Sequence, residues 1–100
     1  MAMEVTFADD DLDRLETDPA FSMGLPEGVV KAYRKRMQFI RSAADERDLY
    51  SLKSSRFEKL KGKRKHQRSM RLNDQLRLVL EVEVASSTKR VRIVGIEDYH

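Results

Sequence analysis

The chain has 100 residues, of which 40% are hydrophobic and 37% are charged, with a net charge of +3 and no cysteine. This length allows one hydrophobic core but not two, and the composition excludes an intrinsically disordered chain. The absence of cysteine excludes disulfides, thiolate metal sites and a thiol nucleophile. No apolar run is long enough to span a bilayer, and the first residues do not resemble a signal peptide. We therefore expect one domain over residues 1–100, located in the cytoplasm.

The first half of the chain predicts one strand followed by helices. The alternating segment Met3–Phe7 predicts a strand, and Asp9–Thr17 predicts a short helix whose acidic first turn suits the helix dipole. A longer helix is predicted over Pro26–Ala44, with proline at its start, and Asp45–Leu52 adds one or two further turns. The apolar residues of the long helix form one stripe, which we interpret as a core face rather than a binding groove: Val29, Val30, Tyr33, Met37, Ile40 and Ala44.

The last third of the chain predicts a meander of three antiparallel strands, over Arg68–Asn73, Leu76–Glu83 and Lys89–Ile96. The segments between them are rich in the polar residues that favour turns. Together with the helices, this order predicts an α+β domain. Its small antiparallel sheet consists of the N-terminal strand and the meander, and it packs against two or three helices.

The register of the first hairpin follows from its apolar residues. A three-residue loop, Asn73–Gln75, pairs Leu72 with Leu76 and Met70 with Leu78, which places all four apolar side chains on one face. A two-residue loop would turn the apolar side chains of one strand outward. The sequence therefore predicts the three-residue loop.

The same register places Arg71 directly opposite Arg77. Like charges in this position destabilise a hairpin by about 0.2–1 kcal/mol, a cost that is easier to understand if the two arginines bind a phosphate group together. The alternative is that Glu81, Glu83 or a carboxylate near the C-terminus neutralises the pair.

A dense basic segment precedes the hairpin. Lys59–Arg71 contains seven lysines and arginines, one histidine and no acidic residue. Residues 28–100 carry a balance of +10, whereas residues 1–27 carry eight acidic side chains against one arginine, a balance of −7. For the acidic end we favour an ordinary solvated surface, but the basic segment indicates binding to a polyanion.

Four short motifs follow one another toward the C-terminus: Phe57-Glu58-Lys59-Leu60-Lys61-Gly62-Lys63-Arg64-Lys65, Arg68-Ser69-Met70-Arg71-Leu72-Asn73, Leu76-Arg77-Leu78 and Asp98-Tyr99-His100. In this order they resemble the HigB branch of the RelE toxin superfamily, also called plasmid-maintenance killer proteins. The family pattern is Leu-Lys-Gly with basic residues, an aromatic-Ser-hydrophobic strand start, Asn-x-x-aromatic-Arg-hydrophobic and a closing Asp-Tyr-His. The resemblance covers about residues 56–100 in motif, and the order and length of the helices match over the rest.

The resemblance implies a RelE-like fold and the toxin of a type II toxin–antitoxin system. Such a toxin is a ribosome-dependent mRNA endonuclease, or mRNA interferase, that cuts the message in the ribosomal A site and thereby inhibits translation. It is inhibited by an antitoxin encoded beside it, typically a helix-turn-helix protein that supplies the only contact with DNA. Cleavage is implied to proceed by attack of the RNA's own 2′-hydroxyl on the adjacent phosphate, without a metal or another cofactor.

This chemistry requires a base, an acid and cations around the phosphate. For charge stabilisation the resemblance points to Lys61, Arg71 and Arg77. For proton transfer it points to Tyr99 and His100, with Asp98 orienting or tuning one of them, and it leaves open which is acid and which is base. The remaining cations of the basic segment are expected to bind RNA and the ribosome: Lys59, Lys63, Arg64, Lys65 and Arg68.

Two positions depart from the family pattern, because Arg68 and Leu76 stand where the family usually has aromatic residues. An aromatic side chain can stack on a base with about 1–3 kcal/mol, so base preference and potency stay open. A catalytically silent module that binds RNA or the ribosome is one alternative function, and a purely protein-binding role is another. The terminal tyrosine and histidine are then a plain surface tail.

Overall fold

The computed structural model describes residues 3–51, 56–85 and 88–98. The described elements are, in chain order, β1 (Glu4–Phe7), α1 (Asp10–Thr17), α2 (Glu27–Ser42), α3 (Glu46–Leu49), β2 (Glu58–Lys59), a 3₁₀ turn (Gly62–Arg64), β3 (Gln67–Arg71), β4 (Leu76–Ala85) and β5 (Thr88–Asp98). The α+β class predicted from the sequence is confirmed, since three helices accompany one five-stranded sheet in this part of the chain. No helix among the described residues has both the length and the apolar character needed to cross a membrane.

The strands lie in the order β1-β5-β4-β3-β2. The predicted meander of β3, β4 and β5 is antiparallel, and the short β2, which the sequence did not predict, extends it beside β3. The sheet is mixed rather than antiparallel throughout, because β1 pairs with β5 in the parallel direction, Glu4 opposite Arg90. Parallel neighbours need a long crossover, and the helices between β1 and the meander provide one.

The predicted register of the β3–β4 hairpin is confirmed. Met70 lies opposite Leu78, Arg71 lies opposite Arg77, and the amide of Leu72 donates a hydrogen bond of 2.9 Å to the carbonyl of Leu76. The side chain of the first loop residue, Asn73, closes the loop by accepting hydrogen bonds from the amides of Gln75 and Leu76 at 2.8 and 2.6 Å. Asparagine often closes turns in this way.

A β-bulge interrupts the pairing of β4 and β5. Val79 lies opposite Gly95 and the next residue of β4, Leu80, lies opposite Ile93, so Val94 has no partner of its own. Side chains of a regular strand alternate between its two faces, and one extra residue therefore lets Ile93 and Ile96 both face the helices. The same extra residue sends Glu97 to the other face of the sheet, beside Arg77, its partner in the register.

The core lies between the helices and one face of the sheet. It contains the apolar stripe of α2, both leucines of α1, Leu49 of α3 and the inward side chains of β3, β4 and β5. One predicted member is wrong, because α2 ends at Ser42 and the extended backbone that follows buries Ala43 instead of Ala44. The hydroxyl of the buried Tyr33 donates a hydrogen bond of 2.7 Å to the carbonyl of Leu12, which ties α2 to α1.

We expect Tyr33→Phe to lower the free energy of unfolding by about 1 kcal/mol, the usual net contribution of one hydrogen bond. Burial raises the pKa of Tyr33 above its usual range, so its hydroxyl stays a hydrogen-bond donor at physiological pH. Urea unfolding of the wild type and the variant measures the difference. The matched control is Tyr50→Phe, since Tyr50 is 47% exposed; equal losses in both variants would contradict the prediction.

Candidate functional site

The face of the sheet opposite the helices, here called the open face, carries a network of charged side chains. Since side chains alternate along a strand, the register places arginines and glutamates on this face: Arg71, Arg77, Glu81, Arg92 and Glu97. Between them lie the buried side chains of Ser69 and Val79, which are neighbours in the register. The open face is therefore charged around a small buried centre.

A cleft of about 370 Å³ opens beside this face, at the end of the sheet where β2 lies. We call this cavity the basic cleft. Its lining residues come from β2, the loop after it and β4: Glu58, Lys59, Leu60, Lys61, Arg64 and Arg77. Four cations that the sequence singled out therefore surround one cavity. Arg71, a fifth, lies opposite Arg77 in the register of β3 and β4.

A glycine shapes the loop after β2, which carries several of these cations. The amide of Leu60 donates to the carbonyl of Gln67 at 3.1 Å, so the chain is still paired with β3 where it leaves β2. Gly62 then adopts a φ of +67°, a left-handed conformation that other residues rarely adopt, and begins the 3₁₀ turn. The turn reverses the chain toward β3, and in doing so it keeps Lys61 and Arg64 beside the cleft.

Arg64, Glu97 and Arg77 form an ion-pair cluster at the cleft. The two terminal nitrogens of Arg64 donate to the Glu97 carboxylate at 2.8 and 2.6 Å, and Nη2 of Arg77 lies 3.6 Å from the same carboxylate. The hydrogen bonds from Arg64 hold the pKa of Glu97 below its usual value, and those bonds raise the pKa of Arg64. Arg64 and Glu97 are therefore both ionised at neutral pH.

Arg71 contacts a different carboxylate, that of Asp74 in the hairpin loop. Its Nε donates to the carbonyl of Asn73 at 3.2 Å, and its own carbonyl accepts a hydrogen bond of 3.1 Å from Arg36 of α2. The sequence left open which carboxylate neutralises the pair of Arg71 and Arg77. Beside Arg77 the structure places Glu97 of β5.

The lysines of the basic segment differ from its arginines in their contacts with carboxylates. Their side chains are exposed, and no carboxylate in the described ranges lies within ion-pair distance of any of them: Lys59, Lys61, Lys63 and Lys65. Ammonium groups placed in this way face solvent and can bind phosphate oxygens. Lys59 and Lys61 line the basic cleft, whereas Lys63 and Lys65 are not among its lining residues.

Arg68 does not lie at the cleft. Its register opposite Leu80 places it on the helix side of the sheet, where its Nε lies 3.0 Å from a carboxylate oxygen of Glu46 in α3. The two side chains are only 14% and 21% exposed. Its partner in the register, Leu80, belongs to the core, and α3 supplies Glu46 beside it. The sequence reading expected Arg68 to bind RNA and the ribosome and did not predict this contact.

We expect Arg68→Gln to lower the free energy of unfolding by about 1.5–3 kcal/mol, because it removes a charge-assisted hydrogen bond in a largely enclosed site. The ribosome binding that the sequence leads us to expect should keep its affinity and salt dependence after the change. Denaturant unfolding and ribosome sedimentation at two salt concentrations measure the two effects. The matched control is Lys63→Gln, which should leave the free energy of unfolding unchanged. A loss of ribosome affinity in Arg68→Gln that Lys63→Gln does not show would contradict the prediction.

Asp98 is the last described residue, and it follows Glu97, the partner of the cleft residue Arg77 in the register. It is opposite Leu76, next to the pair of Arg77 and Glu97, and its carboxylate accepts a hydrogen bond of 3.2 Å from the side chain of Gln75. The two residues predicted to transfer protons, Tyr99 and His100, lie outside the described residues.

The sequence reading assigned no role by residue to two carboxylates at the site, although it left open a carboxylate near the C-terminus as a partner of the arginine pair. Glu58 lines the basic cleft between lysines, and Glu97 joins Arg64 to Arg77. For Glu58 the signal was its place within the basic motif itself. For Glu97 the signal was the interrupted alternation at Val94, because only an extra residue there turns Glu97 toward Arg77.

Comparison with known proteins identifies the family. A family model described as the RelE-like toxin of the type II toxin–antitoxin system HigB matches residues 5–92. No curated protein sequence matches the chain.

Solved structures share the fold at low sequence identity. A YoeB/ParE toxin from Agrobacterium tumefaciens is 17% identical with a TM-score of 0.57, and the match covers 98% of this chain and 100% of that one. A conserved hypothetical protein from Helicobacter pylori is 13% identical with a TM-score of 0.55, over 97% and 94% of the two chains. In the YoeB dimer from Staphylococcus aureus the values are 19% and 0.51, over 100% and 99%. Since the family model spans most of the sequence, the chain belongs to the HigB-like toxins, the RelE-like toxins of type II toxin–antitoxin systems.

Proposed function

We propose that this toxin is a ribosome-dependent mRNA endonuclease that cuts the message in the ribosomal A site. The observation that carries the proposal is the basic cleft, in which cations from three parts of the chain surround a cavity of about 370 Å³. Charges gathered in this way suit the phosphodiester backbone of a single strand. Membership of the HigB-like toxin family supports the same function.

The proposed reaction needs no group beyond the protein and the RNA. The 2′-oxygen attacks the adjacent phosphorus, the bond from phosphorus to the 5′-oxygen breaks, and a 2′,3′-cyclic phosphate and a free 5′-hydroxyl remain. A base removes the proton of the 2′-hydroxyl, and an acid delivers a proton to the departing 5′-oxygen. Negative charge grows on the other phosphate oxygens during attack, and Lys61, Arg71 and Arg77 are proposed to stabilise it.

Proton transfer is assigned to the end of the chain. Tyr99 and His100 are the proposed acid and base in either order, with Asp98 orienting or tuning one of them. Glu58 is a further candidate for the base, because its carboxylate lines the basic cleft beside the lysines.

The remaining exposed cations are proposed to dock the toxin. Lys63 and Lys65 lie on the loop between β2 and β3, with no described carboxylate near them, and they suit the phosphate backbone of ribosomal RNA. Arg68 was expected to share this role, and we propose a structural one for it instead, because its guanidinium contacts Glu46. Action on ribosomes would place the toxin in the cytoplasm.

A toxin of this family implies an antitoxin partner. We propose that the partner is a helix-turn-helix DNA-binding protein with an acidic segment that covers the basic cleft, because the exposed lysines there lack described carboxylate partners. Co-purification with the product of the neighbouring gene tests this, and the absence of a complex at micromolar concentration would exclude it.

Translation of a defined message in vitro, with primer extension to map the cuts, tests the proposed function. We expect cuts in the message only when ribosomes are present. Cuts in naked RNA would contradict ribosome dependence. Ribosome binding that weakens with salt but produces no cuts would instead indicate the catalytically silent module.

A further inference from the structure

Glu97 joins two arginines that reach the basic cleft from different elements. Its carboxylate is bound by both terminal nitrogens of Arg64, which belongs to the 3₁₀ turn, and lies 3.6 Å from Nη2 of Arg77 in β4. Glu97 itself is not among the residues that line the cleft. An effect of Glu97 on a bound phosphate therefore acts through the two arginines.

The guanidinium of Arg64 is held from two sides. Its Nε donates to the side-chain oxygen of Gln67 at 2.8 Å, while its terminal nitrogens donate to Glu97 at 2.8 and 2.6 Å. A guanidinium has five N–H groups, so these three bonds leave one N–H on each terminal nitrogen for a ligand. Because a bidentate contact fixes the plane of the guanidinium, Glu97 sets the direction of the remaining donors.

The same carboxylate acts on Arg77 from the neighbouring strand. Glu97 and Arg77 are opposite one another in the register of β4 and β5, so the backbone of the sheet fixes the distance between them. The bulge at Val94 is what brings Glu97 to this face. One carboxylate on a rigid strand thus connects a loop cation to a strand cation.

We propose that Glu97 is a positioning residue that holds Arg64 and Arg77 as one phosphate-binding unit, a role that rests on the proposed cleavage of mRNA. Cations that are fixed before the reaction stabilise developing charge without reorganisation. Without Glu97 the two arginines still attract RNA, but no common carboxylate holds them in a fixed position relative to each other. Since the carboxylate also repels phosphate, its loss should slow cleavage without weakening binding.

The test compares Glu97→Gln with Glu16→Gln. Glu16 is the matched control, because its carboxylate also accepts two hydrogen bonds from one arginine, Arg41, at 2.6 and 2.7 Å, but it lies on α1 and does not line the cleft. Cleavage of mRNA on programmed ribosomes is measured over a range of toxin concentrations, together with thermal unfolding of each variant. For Glu97→Gln we expect the cleavage rate at saturation to fall by about 10- to 100-fold, with an unchanged or lower KM. For Glu16→Gln we expect wild-type cleavage, and Glu97→Asp, which keeps the charge, should recover part of the rate.

Two outcomes of the kinetic test would overturn the proposal. Faster cleavage by Glu97→Gln would mean that the carboxylate blocks the phosphate site. Equal losses in Glu97→Gln and Glu16→Gln, following equal losses in thermal stability, would mean that Glu97 only stabilises the fold.

A binding measurement separates this proposal from the proposed function. If the wild type cuts no mRNA, the proposed function fails, but phosphate binding can still be followed through the side-chain N–H signals of Arg64 and Arg77 in NMR titrations with inorganic phosphate. We expect both signals to titrate together in the wild type and separately in Glu97→Gln. Identical titrations of the two proteins, or no response of either arginine, would overturn the positioning role.

Discussion

Replacing Arg77 with glutamine is expected to slow mRNA cleavage by about 100- to 1,000-fold at saturating toxin, the usual effect of removing one prearranged donor from an active site. Arg77 is 17% exposed, lines the basic cleft and lies beside Glu97, so its position is set before RNA arrives. The proposed role is to stabilise charge that grows on the phosphate during attack. Single-turnover cleavage of mRNA on purified ribosomes measures the effect.

Another arginine of the open face provides the control. Arg92 lies 3.6 Å from Glu81 and is not among the residues that line the cleft, so Arg92→Gln should leave the cleavage rate near that of the wild type. Thermal unfolding of both variants shows whether either change disturbs the fold. Cleavage by Arg77→Gln at the wild-type rate would remove Arg77 from the proposed active site.

The double substitution of Tyr99 by phenylalanine and His100 by glutamine is expected to slow cleavage by about 100- to 10,000-fold, the usual contribution of general acid–base catalysis. Both changes keep the approximate size of the side chain while removing the groups that exchange protons. Ribosome binding should persist, because the cations of the basic cleft are unchanged. Primer extension for the cuts and sedimentation for the binding measure the two effects separately.

The chain offers a control with the same chemical changes elsewhere. Tyr50 is 47% exposed, and the side chain of His66, the only other histidine, is 61% exposed and contacts Glu81. The double variant Tyr50→Phe and His66→Gln should therefore cleave like the wild type. Normal cleavage without the Tyr99 hydroxyl and the His100 imidazole would move the proton-transfer role to another group, and Glu58 in the cleft is the first to test.

The register of the β3–β4 hairpin could be predicted because two independent requirements agree on it. The apolar side chains of Met70 and Leu78 must share the core face, and Asn73 closes a three-residue loop. The direction of β1 could not be predicted, since the helices between β1 and the meander allow either direction. The bulge at Val94 escaped prediction because it breaks the alternation that identifies strand faces.

The candidate site was predictable in its charge but not in the contacts within it. Seven cations in Lys59–Arg71 indicate a surface for phosphate, and the residues around the cleft agree with that. The sequence does not show which of these cations already contact carboxylates of the fold. Arg68 contacts Glu46 on a helix, and Arg64 contacts Glu97 in the last strand. Such contacts join distant parts of the chain, so they depend on how the sheet is assembled.

The place of β5 in the sheet also bears on the order in which the fold can be completed during synthesis. β5 is the last described strand to leave the ribosome, yet it lies between β1 and β4 and supplies Val91 and Ile93 to the core. A nascent chain that has not reached Thr88 leaves β1 without its neighbour and lacks Glu97 altogether. The contacts of Glu97 with Arg64 and Arg77 therefore form only after β5 has been made and has paired with β4.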